Sequence, residues 1–228
     1  MQLPLYDVTM ACPLWRILLV LAILVPIGGA ARADPVPAAI NFVVKRDGTS
    51  IGTHRLSFRS EQTVDGERLF VDIAIEIKVV VAFITIYTYK FEGREVWDGE
   101  RLVVLETYTN DNGTKLDVHV RAAADGLHVD ATDVHYVAAP DMLPDSYWRT
   151  DTVKHTRFID IENGQLTTLV SEPAGRRAVN VAGRMAETDI YKLSGEIEGE
   201  LGYTPAGEWT LLRFKSHGSN ILYVREAP

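Results

Sequence analysis

Leu69 to Phe83 reads "LFVDIAIEIKVVVAF". Its odd positions, Leu69, Val71, Ile73, Ile75, Ile77, Val79, Val81 and Phe83, form an unbroken apolar row, while Asp72, Glu76 and Lys78 fall on even positions. A period of two puts successive side chains on opposite faces of an extended strand, one shunning water and the other meeting it. At ~3.3 Å per residue this is a strand much longer than the usual five or six residues. Strands of that length suit a tall, strongly curved sheet or a barrel better than a compact sandwich.

The next stretch, "TIYTYKFEGREVW", continues the pattern from Thr85, with Tyr87, Tyr89, Phe91 and Trp97 on one face and Gly93 interrupting the row where a wall bends or bulges. Turn pairs recur at hairpin spacing: Asp47-Gly48, Asp65-Gly66, Asp98-Gly99, Asn112-Gly113, Asp125-Gly126, Asn163-Gly164, Ala206-Gly207 and His217-Gly218. Between them lie β-branched and aromatic runs: 40–44, 50–58, 127–137, 157–161, 165–170, 189–195, 209–215 and 221–224. No stretch keeps a 3.6-residue period over a helix's length. Residues 138–154, "AAPDMLPDSYWRTDTVK", carry two prolines and no alternation, and read as a long crossing loop between an N-terminal meander and a C-terminal set of strands. The expected fold is all-β, an antiparallel barrel or strongly curved half-barrel in a single domain.

"TNDNGTKLDVHV", Thr109 to Val120, invites a calcium reading. An EF-hand loop needs oxygen ligands at positions one, three and five, glycine at six and a glutamate at twelve. With Gly113 at six, position one is Tyr108 and position twelve is His119, and the flanks alternate as strands do. The stretch therefore reads as a hairpin, since Asn112-Gly113 is the pair that a type I′ turn prefers.

The chain opens with an apolar run from Ile17 to about Ile27, preceded by Arg16, broken by Pro26 and followed by Ala31-Arg32-Ala33. That run is too short to span ~30 Å of hydrocarbon and has the small-residue pattern of a cleaved secretion signal. Residues 1–33 are read as signal peptide and 34–228 as the β domain, with translation starting at Met1 or Met10. The one cysteine, Cys12, precedes the apolar run, so the remaining 195 residues (228 less 33) rely on a hydrophobic core and not on disulfides. Removing Arg16, Arg32 and Asp7 leaves 21 basic and 30 acidic residues. A net charge of −9 argues against nucleic acid and anionic membrane surfaces as partners, with Gly175-Arg176-Arg177 the one local basic cluster, placed in a loop.

"INFVVKRDGTSIGTHRLSF", "YTYKFEGREVWDGERLVVLETYTNDNG", "SYW" before "IDIENGQLTTLV", and "LGYTPAGEWTLLRFKSHGSNILYV" together resemble an uncharacterised family of secreted bacterial proteins, domain of unknown function 6134. The resemblance covers nearly all of the chain after residue 33 and implies an exported, β-rich, periplasmic protein with no established activity. At the level of fold the chain is also distantly similar to envelope lipoprotein carriers with open barrels, an analogy that does not fix function.

Catalytic patterns are sparse. The histidines, His54, His119, His128, His135, His155 and His217, show no helical i, i+4 pair, and His128 and His135 fall on opposite faces of a regular strand. They read as surface residues, with neither metal nor cofactor called for. A nucleophile elbow and phosphate loop are missing, although Ser146, His155 and Asp151 compose a serine-histidine-acid set on paper. The aromatic residues Tyr87, Tyr89, Phe91, Trp97, Tyr108, Trp148 and Trp209 are the candidate binding set, lining the concave side of the sheet for a hydrophobic or lipid-like ligand, or else filling a plain core. The functional reading is a non-catalytic periplasmic binder. An envelope structural or assembly factor with a protein partner and a hydrolase built on the crossing loop are the alternatives.

Overall fold

The computed structural model describes residues 36–227, so the secretion-signal reading of residues 1–33 lies outside the described residues. The chain forms β1 (Ile40–Arg46), β2 (Thr49–Thr63), β3 (Gly66–Val81), β4 (Ile84–Asp98), β5 (Arg101–Asp111), β6 (Thr114–Ala123), β7 (Gly126–Ala131) and β8 (His135–Ala138). After a crossing segment come β9 (Leu143–Pro144), a 3-10 turn (Thr150–Lys154), β10 (Arg157–Ile159), β11 (Leu166–Val181), β12 (Arg184–Gly195), β13 (Gly199–Tyr203), β14 (Trp209–Ser216) and β15 (Ser219–Glu226). Among the described residues no helix is long and apolar enough to cross a membrane.

The strands make one sheet in the order β8 through β1, then β15 down to β9. Each strand thus pairs with its neighbours in sequence, and β1 pairs with β15 to join the two halves. The sheet is open between β8 and β9, its two edges, which are themselves consecutive in the chain. All described pairings are antiparallel except β9 with β10.

The apolar row behaves as expected as far as Val79: Val71, Ile73, Ile75 and Val79 are buried in the core, facing inward. It fails at the end. A register shift falls between Val79 and Val80, the chain reverses at Ala82-Phe83, and Val81 and Phe83 are exposed. Gly93 also has a different role from the bend expected, since register is regular around it and a Cβ there would come within 2.8 Å of the Phe91 ring. The glycine makes room for that ring.

Other expectations need correction. Run 127–137 is two strands, broken at Thr132–Val134, which brings His128 and His135 to the same exposed side, paired with Asp125 and Asp130. His54 is no surface residue: it is 4% exposed, among Phe42, Trp209 and Tyr223. Arg176 and Arg177 lie on β11 and pair with Asp189 and Glu200 across neighbouring strands. Asn112-Gly113 does form the expected turn, with φ of 50° and 102°.

Candidate functional site

The crossing segment does more than separate two sets of strands. Trp148 packs edge-on against Phe58 of β2 and Trp97 of β4, and Tyr147 packs against Trp209 of β14. Tyr203 of β13 donates its hydroxyl to the Tyr147 and Arg149 carbonyls, at 2.7 and 3.0 Å. Strands from both halves of the sheet therefore meet one segment, which plugs the middle of the concave space. Its anchor is Glu95, fully buried, whose one carboxylate oxygen accepts N–H groups from Trp97 and Trp148 at 2.8 Å each. Arg149 lies 4.5 Å over the Trp97 ring and forks onto Asp151. Burial raises the Glu95 pKa, opposed by Ser146, the two indoles and the Arg149 charge.

Further along, residues 160–164 are stitched to the opposite wall. Thr107 and Thr109 of β5 donate to the carbonyls of Ile161 and Glu162, and the Tyr136 hydroxyl donates to that of Gly164. This turn gathers three acids in a partly desolvated space. Burial is the first cause in each case: the Asp145 and Asp160 carboxyls are raised above the usual range, and Glu162 is pushed up to about 7 with the charges of Asp160 and Asp111 adding to it. Tyr89 faces Glu162 across 3.5 Å.

The plug leaves one end of the interior unfilled. At the end carrying the β1–β2, β3–β4, β5–β6 and β14–β15 turns, a cavity of about 620 Å³ is walled by Val44, Ile51, Ile77, Val79, Phe214, Ile221 and Tyr223. Its rim is polar, formed by Arg46, Asp111, Asn112, Thr114, Ser216 and His217, with Tyr87 beside them. Oδ1 of Asp111 is buried without a hydrogen-bond partner, and burial followed by the Asp111 carboxylate raises the Tyr87 hydroxyl. Such a volume falls in the range of small-molecule sites, and apolar walls under a few polar groups are the usual makeup of one.

Across residues 42–226 the sequence matches the family model described as Domain of unknown function (DUF6134). The chain belongs to this family. Among solved structures, the DUF6134 chain is similar to a β-barrel-like protein of domain of unknown function DUF1849 from Brucella abortus, with a TM-score of 0.59 and 7% identity over 83% of this chain and 95% of that one. At that identity the likeness speaks for the fold alone, and it accords with the open curl of the DUF6134 sheet. No curated protein matches the sequence.

The structure disperses the seven aromatic residues that sequence put together. Phe91, Trp97 and Trp209 are fully buried in the packed core, so they hold the DUF6134 fold. Trp148 sits on the plug, and Tyr89 packs against the core beneath Glu162. Tyr108 is 40% exposed on the outer side, away from all the others. Only Tyr87 reaches the mouth cavity. Trp148 and Trp209 also border a second recess of about 590 Å³, whose lining is strongly charged through Arg149, Asp151, Lys154, Glu208 and Arg225. The residues missed by sequence are aliphatic ones of the mouth, whose alternation was visible but whose height along the strands was not. Ser146 is buried near Glu95 and Asp151 is committed to Arg149. Among the described residues no hydrogen bond joins Ser146, Asp151 and His155 into a relay.

Proposed function

We infer that this DUF6134 chain is an exported, non-catalytic binding protein whose mouth cavity takes an amphiphile, the acyl chain on the aliphatic walls and the polar end at the rim. The cavity carries the reading: apolar walls contributed by β1, β2, β3, β14 and β15 end in a collar holding Arg46, Asp111 and Tyr87. Burying an acyl chain there releases roughly 0.8 kcal/mol per methylene removed from water. Export to the periplasm belongs to the same reading and rests on the apolar run and Ala31-Arg32-Ala33 of the N-terminal segment.

The test is displacement of a fluorescent sixteen-carbon fatty-acyl probe, with Ile77→Glu as the variant. A charge placed against the acyl chain should weaken probe binding by roughly tenfold or more, equivalent to about 1.4 kcal/mol per decade. Saturable binding lost in the variant, whose melting must stay cooperative, supports the reading. Absence of saturable binding to the parent chain removes it.

A second reading, an envelope factor acting through protein contacts, rests on the open seam. β8 pairs only with β7, and Val137 on it is 50% exposed, so this edge offers backbone groups and one apolar side chain to an added strand. Crosslinking from position 137 to a stoichiometric protein partner would favour it over the carrier.

A further inference from the structure

The β3–β4 hairpin outgrows its neighbours. β2 pairs with β3 only as far as Ile77, and β5 pairs with β4 only as far as Tyr89. Beyond these points the one further backbone tie among the described residues is the Asn112 N–H donating to the Thr88 carbonyl, so Lys78–Val81 and Ile84–Tyr87 form a two-stranded finger at the mouth end of the sheet.

A ribbon bathed in water on its outer side and at its tip should be polar there, yet this one reads Val80, Val81, Ala82, Phe83, Ile84 and Ile86. Their exposures are 51% for Val80, 54% for Val81, 101% for Phe83, 67% for Ile84 and 52% for Ile86. Those five are a large share of the twelve exposed large apolar side chains among the described residues, so they form a patch and not ordinary scatter. Folding does not account for the tip either. Ala82 and Phe83 both hold positive φ, 47° and 68°, where asparagine and glycine are at ease and phenylalanine is strained, and the Phe83 ring packs on nothing in return.

The charges around the finger point to its partner. In a chain of net charge −8, the strand ends flanking it carry Lys78 on the finger itself, Lys115 on β6, Lys45 and Arg46 on β1, and Lys215 on β14. Of the acids at the same ends, Asp47 accepts hydrogen bonds from Asn220, Asp111 lines the cavity, Asp117 on β6 faces His119 at 3.8 Å, and Asp133 stands in the β7–β8 turn away from the finger. The next acids down the hairpin, Glu76 and Glu92, flank Lys90, and Glu196 and Glu198 begin only in the β12–β13 turn beyond Lys215. An apolar tip in a ring of lysines is complementary to an anionic lipid surface, whose headgroups meet the cations as the tip enters the acyl region.

We propose that the β3–β4 finger docks the protein on anionic phospholipid membranes, inserting Phe83 and Ile84 and facing the mouth of the curl toward the bilayer. The net negative charge of the whole chain argues against such a surface only when charge is taken as evenly spread, and here it is not. This inference stands apart from the cavity's ligand: vesicle binding without acyl-probe binding keeps it while removing the carrier reading.

The experiment is flotation with vesicles of phosphatidylglycerol and phosphatidylethanolamine, with pure phosphatidylcholine as comparison, using parent and variant in the same chain form so that the N-terminal segment contributes equally. Phe83→Asp with Ile84→Asp should lower the bound fraction roughly tenfold or more, as expected for removing two apolar anchors. Ala82→Asn with Phe83→Gly, which suits the turn, should melt at a higher temperature than the parent and still lose vesicle binding, separating docking from folding. In a third arm, Phe83→Trp fluorescence should be quenched by brominated acyl chains, while Val64→Trp, equally exposed at the β2–β3 turn at the opposite end, should not be. Unchanged vesicle binding in the charged variant, equal quenching at both positions, or a finger-dependent dimer or protein complex in place of lipid binding overturns the proposal.

Discussion

Trp97 and Trp148, one on the sheet and one on the segment crossing it, stand edge to face at 5.8 Å and donate to the same oxygen of Glu95. A buried carboxylate with two indole donors is costly to disturb, because its loss leaves both N–H groups without partners in a desolvated space. Glu95→Ala should therefore cost on the order of 3 kcal/mol, from roughly 1–3 kcal/mol for each orphaned donor. Glu95→Gln retains an acceptor and should cost about 1 kcal/mol. Urea titration of both variants checks this, and equal losses would show that the hydrogen bonds to the indoles are not what fastens the plug.

Gly93 and Phe91 make a second coupled pair. A methyl at position 93 would lie 2.8 Å from Cε1 and 3.0 Å from Cζ of the ring, with Thr107 Cγ2 at 3.3 Å closing the other side. Phe91 has nowhere to go, being fully buried. Gly93→Ala should destabilise by about 1–3 kcal/mol through overpacking. Combining it with Phe91→Leu should cost less than the two single losses added together, and additivity in that double-mutant cycle would remove the steric explanation.

How much of this was legible in the sequence depends on how local each cause is. Val71 to Val79 could be read because period two is written into consecutive residues, and Asn112-Gly113 because a turn's φ requirement is met by the turn residues themselves. The reversal at Ala82-Phe83 was hidden, since neither residue favours positive φ and the apolar row runs straight through it. The plug was hidden for another reason: Trp148, Tyr147 and Ile161 take their positions from partners on β2, β4, β5, β13 and β14, and nothing in the local pattern names those partners. The same distinction divides the aromatic set. Alternation placed Tyr87 and Trp97 on one face correctly, but only the height at which the plug ends decides that Trp97 is core and Tyr87 borders a cavity.

His54 is a buried base with both ring nitrogens unpartnered, and burial lowers its pKa to about 3 from the ordinary 6.5. Between those values the unfolded chain binds a proton that the folded chain refuses, so stability rises with pH across the window and is lost as pH falls through it. His54→Leu should be neutral or stabilising by about 1 kcal/mol at pH 7, because an unsatisfied polar ring is replaced by an apolar group. It should also lessen the acid-side loss. Urea midpoints at pH 7 and pH 4 decide the matter, and an unchanged difference between the two would mean that His54 is protonated in the folded protein.

Glu162 has the opposite sign. Its folded pKa of about 7 lies above the ordinary 4.5, with burial the leading cause and the Asp160 and Asp111 charges next. Between these values the folded chain keeps a proton that the unfolded chain has released, so stability falls as pH rises through the window and the penalty is full above pH 7. Asp145 and Asp160, raised for the same leading reason, push in the same direction. Glu162→Gln fixes the neutral form, keeps the contact with Tyr89, and should raise stability at pH 8 while changing little at pH 5. Because His54 favours higher pH over much of the same range, the parent chain should show a shallow optimum, and each single substitution should tilt it in its own direction. Chemical denaturation of both variants from pH 4 to pH 8 measures the two slopes. A parent-like profile in Glu162→Gln would show that water reaches the carboxylate freely and that the turn at 160–164 does not seal the interior.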